Sequence, residues 1–145
     1  MREILFRGKR KDNGKWAYGF YALFARIHTG AENGCVIPYE VDPETVGQFT
    51  GLTDKNGKKI FEGDIVKIIS IVKGEMIGNT RTFKSEERED CAVVLLDYKT
   101  GGYKLKVYHK GKYKRISKFT IAHLWGYEAE VIGNIHDNPE LLEEL

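Results

Sequence analysis

TGLTDKNGKKIFEGDIV, residues 50–66, is a turn followed by the entry to a strand. Asp54, Lys55, Asn56 and Gly57 make the turn, because Asn-Gly supplies the positive φ angles that tight hairpin turns need. Gly63 and Asp64 then lead into IVKIISIV, residues 65–72, a β-branched run of high strand propensity. The run is apolar at both alternations, so both faces are covered and it is a central strand. Glu62 and Asp64 flank Gly63 as an acid pair open to catalysis or a metal, but acids beside a glycine at a strand start are first of all turn formers.

The same device recurs upstream. Residues 4–7, the KDNG of residues 11–14 and KWAYGFYALF, residues 15–24, make a second hairpin, in which Trp16, Tyr18 and Phe20 share one face. Residues 28–49 connect the two hairpins, with His28 in a loop, and Asp42 caps one helical turn started by Pro43 and Glu44. Residues 73–90 are polar and end in KSEERED, the composition of a solvated loop or a short exposed helix. Residues 129–135 form a closing strand. A short helix follows, with Asn138 as its cap, Pro139 in the first position and Glu140 at the positive end of the dipole.

At 145 residues the chain is long enough for one domain with a real core, divisible into halves 1–60 and 61–145. Its 23 basic and 21 acidic residues nearly cancel, so total charge argues for neither nucleic acid nor membrane. Two cysteines, Cys35 and Cys91, make no disulfide framework or zinc site, and no apolar run suits a signal peptide or a membrane span. A reduced, cytoplasmic setting is the simplest reading.

Tyr98, Tyr103, Tyr108 and Tyr113 recur every five residues, a spacing that one strand cannot place on one face. Two-residue turns at Thr100-Gly101 and Lys110-Gly111 resolve it. They pair Tyr98 with Tyr103, Asp97 with Lys104, Leu96 with Leu105 and Val94 with Val107. In the next hairpin they set Tyr108 against Tyr113, Leu105 against Ile116 and Lys106 against Arg115. A like-charge pair is destabilising unless the side chains splay or an anion lies between them. From residue 98 to 127 there are eight Lys or Arg and no acid, whereas residues 128–145 hold six acids and no Lys or Arg. Lys104, Lys106 and Arg115 are therefore candidate phosphate or partner contacts, with Tyr108 and Tyr113 as stacking platforms for single-stranded bases. The plainer reading is an ordinary solvated strand face, open to docking against the acidic C-terminal helix of the same or another chain. Val93 and Leu95 on that face favour partial burial, as at a subunit interface.

Several chemistries are excluded. A calcium loop starting at Asp54 needs Gly and Glu where Lys59 and Ile65 stand. No phosphate-binding Walker pattern occurs. His28, His109, His123 and His136 show no metal-ligand spacing, and Cys91, in an apolar strand, reads as an inert buried thiol rather than a nucleophile. No catalytic residue, metal or cofactor is expected.

TVGQFTGLTDKNGKKIFEGDIV, FRGKRKDNGKW and YEAEVIGNIHDNPELL resemble the three signature segments of the YopX family, small proteins encoded by phages and prophages. The resemblance implies a β-rich phage protein of the bacterial cytoplasm and brings no catalytic residue with it. It is weak over residues 73–119.

The expected fold is mostly β, all-β to α+β. Its strongly bent antiparallel sheets close into small barrel-like halves, the C-terminal one SH3-like, with a short C-terminal helix. The expected function is non-enzymatic: binding an unknown phage or host protein as a homo-oligomer. Nucleic-acid binding through the basic Tyr face is the alternative, and an uncharacterised enzyme the third reading.

Overall fold

The computed structural model describes residues 4–30, 34–72, 76–77, 80–81, 86–97, 99–109, 112–117 and 129–144. Six strands, β1 (Phe6–Lys9), β2 (Trp16–Ala22), β3 (Arg26–Gly30), β4 (Val36–Glu40), β5 (Gly47–Thr53) and β6 (Lys59–Phe61), form the first sheet in the order β4-β3-β2-β1-β5-β6. After the short ribbon of β8 (Met76–Ile77) and β9 (Thr80–Arg81) is set aside, the remaining five strands form a second sheet. These are β7 (Asp64–Val72), β10 (Glu86–Leu96), β11 (Tyr103–His109), β12 (Lys112–Ser117) and β13 (Glu130–Asn134), ordered β12-β11-β10-β7-β13. A one-turn helix, α1 (Leu141–Glu144), ends the chain. Among the described residues no helix is long and apolar enough to cross a membrane.

The mostly β expectation holds, but among the described residues the sheets do not close into barrels. Each sheet is open, with β4 and β6 at the edges of the first and β12 and β13 at the edges of the second. The SH3-like expectation for the second half is not met. Closure would need the edge strands to find each other; here the sheets instead pack against one another, burying Leu52 and Ile60 from the first with Val66, Ile68, Ala92, Val94, Leu105 and Val107 from the second.

The turn at residues 54–57 forms as expected, and Gly57 takes a φ of 79° that a side chain would strain. The Asp54 carboxylate accepts from the N–H groups of Asn56 and Lys58, and also from Val131 on β13. Burial alone would raise its pKa, yet these three bonds outweigh burial and hold it below the usual carboxylate value. β7 lies between β10 and β13 with Val66 and Ile68 on one face and Ile65 on the other, which is why its run is apolar at both alternations. Asp42 caps a 3-10 turn at Pro43–Thr45 by accepting from the Glu44 N–H.

Three expectations are corrected. His28 is in β3, not a loop, and with β4 it makes a further hairpin; Pro38 is tolerated because β4 is an edge. The charged run from Glu86 to Asp90 is strand rather than loop or helix, because it pairs with the long apolar β7. The β10–β11 register is two residues off: Leu96 faces Tyr103, Val94 faces Leu105 and Ala92 faces Val107. The cause is a longer turn, closed by Asp97 N–H to the Gly102 carbonyl and Gly101 N–H to the Asp97 carbonyl. A two-residue slip leaves every side chain on its expected face. Tyr98, Lys110, Gly111 and His123 lie outside the described residues.

Candidate functional site

Lys104, Lys106 and Tyr108 do share one face of β11, opposite Leu95, Val93 and Cys91 of β10. Tyr113 faces Tyr108 in the backbone register, as expected. The Lys106–Arg115 opposition is not formed. A bulge on β12 adds one residue, so Arg115 falls opposite Val107 and Ile116 opposite Lys106. The reason for placing an anion between two facing cations is thereby gone. The Lys106 ammonium sits 5.6 Å from the centre of the Tyr108 ring. Tyr108 itself packs on a cluster built around Ile65, Cys91 and Val93, which Ile135, Leu141 and Leu142 of the C-terminal segment also cover. The C-terminal helix thus shares this cluster with Tyr108. Burial raises the Cys91 thiol pKa and keeps the group inert.

The sequence segments that carry the family resemblance meet elsewhere, at the seam of the two sheets. Arg7 of β1 and Asp64 of β7 form an ion pair of 2.6 Å with side chains 7% and 2% exposed. The guanidinium lies between the rings of Trp16, at 4.5 Å, and Phe61, at 4.7 Å. Asp64 also accepts from the Phe61 N–H, which closes the turn at Gly63. Burial pushes the Asp64 carboxyl up, and Arg7 offsets that only in part. From the C-terminal turn, Asp137 accepts from the Trp16 indole and from the Asn134 amide and pairs with Lys9. Lys9 first, then Asn134 and Trp16, overcome the cost of burial and lower its pKa to about 2. The His136 ring lies 6.0 Å from that of Trp16, tilted by 59°, and burial, with Arg7 and Lys9 nearby, lowers its pKa and keeps it neutral at pH 7.

Beside this cluster is a cavity of about 350 Å³ with Glu44, Val46, Glu62, Leu95, Lys104 and His136 in its walls. The Oε2 atom of Glu62 is buried without a hydrogen-bond partner, an arrangement that costs about 1–3 kcal/mol. Burial raises the Glu62 pKa, against the Leu96 N–H that bonds the carboxylate. Among the described residues no group of three His, Cys, Asp or Glu is placed to hold a metal ion. A second polar pair, Asp90 and His109 at 2.7 Å, has its carboxylate fully buried. Neither pair is legible in the chain, because ion-pair partners this far apart leave no local spacing signal.

On the first sheet, β2, β3 and β4 extend as an arm with an unusual apolar exterior. Phe20 is 68% exposed, Leu23 82%, Phe24 84% and Val36 60%. The register sets Phe20, His28 and Pro38 side by side across the three strands. At the tip, Phe24 and Ala25 both take left-handed backbone, with φ of 63° and 51°. The Ala25 carbonyl holds this turn by accepting from the Val41 N–H. Left-handed residues other than glycine are strained by roughly 1–2 kcal/mol each.

Two open antiparallel sheets, bridged by the buried Arg7–Asp64 pair and carrying exposed apolar side chains on β2–β4, define a small, mostly β protein. The YopX protein family profile matches residues 5–143, and the chain belongs to the YopX family. Among solved structures it is similar to protein EF1440 from Enterococcus faecalis, at 21% identity and a TM-score of 0.49, covering 99% of this chain and 100% of that one. A search of curated proteins returns no match.

Proposed function

We propose that the protein is a non-enzymatic interaction module of phage or prophage origin, acting in the bacterial cytoplasm, and that it self-associates through the β2–β4 arm. The observation that carries this reading is the tip, where Leu23 and Phe24 stand 82% and 84% exposed and Phe24 and Ala25 take left-handed backbone. A monomer gains nothing from paying strain to hold two large apolar side chains in water. The occupant we favour is a second copy. Among its described residues the arm has one Arg, Arg26, opposite one acid, Glu40, which also pairs with Lys11, so two copies related by a two-fold axis meet without like-charge conflict. Burying Phe20, Leu23, Phe24, Val36 and Ile37 would gain about 2 kcal/mol each before association costs, which fits micromolar rather than nanomolar affinity.

Light scattering at about 100 µM tests it. A mass above 16.6 kDa is expected, falling to the monomer value in Phe20→Asp with Phe24→Asp while the circular dichroism spectrum is unchanged. A wild-type monomer at that concentration overturns the proposal.

Nucleic-acid binding ranks second. Its support is the run of eight Lys or Arg without an acid over residues 98–127, and its weakness is Tyr108, already packed in the molecule's own cluster.

A further inference from the structure

The cavity at the seam draws its walls from separate parts of the chain: Glu44 in the 3-10 turn, Glu62 in the turn before β7, Leu95 of β10, Lys104 of β11 and His136 after β13. Its volume, about 350 Å³, is at the small end of ligand cavities. Its most unusual feature is chemical. The Glu62 main chain is fixed by its N–H bond to the Gln48 carbonyl, and its carboxylate takes one N–H bond from Leu96. The other oxygen, Oε2, is buried and has no donor. Lys104 lines the same cavity but does not reach that oxygen. A buried carboxylate oxygen without a partner is a vacant acceptor, and the group that suits it best is a cationic donor.

We infer that this cavity is a binding site for a small organic cation, a primary ammonium or guanidinium on a short apolar stem, with the charge on Glu62. Val46, Leu95 and Ile135 supply the apolar wall for the stem. Glu44, exposed at the mouth, adds a second negative charge, and neutral His136 adds no opposing one. Among the described residues Lys104 is the one full cation in the walls, which makes a ligand of one short positive group fit better than a polycation. The same chemistry is carried by a free amine and by a Lys or Arg side chain of a polypeptide, and the probes separate the two.

Titration of the intact protein with butylguanidine, with N-acetyl-arginine amide, and with pentanol and pentanoate as controls, followed by amide NMR, tests the site. Saturable binding of a cation in the millimolar range or tighter is expected, with shifts centred on Gly63 and Leu96, and none from the controls. Butylguanidine binding tighter than the capped arginine identifies a free small cation; the reverse identifies a polypeptide side chain. Glu62→Gln is expected to weaken binding at least tenfold. Should that variant fail to fold, Glu44→Lys, at an exposed position, is expected to weaken it at least threefold. Equal binding of pentanol, shifts elsewhere, no saturable binding of either cation, or full affinity in the variants overturns the inference. Association through the arm does not enter, so the Phe20→Asp, Phe24→Asp protein serves equally well and the two proposals fail separately.

Discussion

Arg7 joins the two sheets at their seam. It neutralises Asp64 at 2.6 Å, fills the space between Trp16 and Phe61, and is itself buried. Truncation leaves the Asp64 carboxylate unpaired in a dry site, the costly half of a buried ion pair. Arg7→Ala is therefore expected to destabilise by about 3–5 kcal/mol, read as a fall in the urea midpoint. Arg7→Ala with Asp64→Asn is expected to lose less than Arg7→Ala alone, because no charge stays buried without a partner. Turn chemistry around Gly63 made Asp64 legible as a turn former, and it is one, with a φ of 87° at Gly63. Its partner was not legible, since Arg7 stands 57 residues away.

At the scale of elements, the turn after β13 is what ties the C-terminus to the first sheet. Asp137 is the anchor, gripping Lys9 of β1 and Trp16 of β2. Its pKa falls from 3.8 to about 2, so the folded state holds the charged form and the unfolded state protonates first. Its contribution is fully present above pH 4 and is lost as pH falls through about 2. Urea midpoints measured between pH 5 and pH 2 are expected to converge for wild type and Asp137→Asn at the acid end and to separate above pH 4. The effect is modest, because both partners keep contact with water. Hairpins marked by Asn-Gly, the capped turn at Asp42 and the closing helix were all legible, because each is decided within a few residues. The Lys106–Arg115 pair was misplaced by the bulge on β12, an extra residue with no signature in the alternation of side chains.

Across the whole molecule, Leu52 and Ile60 of the first sheet share a core with Val66, Ala92 and Leu105 of the second. Neither sheet keeps that face dry alone, so the two are expected to unfold together. Far-UV circular dichroism and tryptophan fluorescence should give coincident urea transitions; separate midpoints would show that the halves are independent. Strand content, the central place of β7 and the burial of the β11 face were open to inference from alternation and turn residues, because those are local steric facts. Only the tertiary structure decided that the sheets stay open, that an arm stands out with its aromatic face uncovered, and that Glu62 reaches a cavity with one oxygen unbonded. Those features depend on which surfaces meet, and the meeting partners are up to 121 residues apart, as with Trp16 and Asp137.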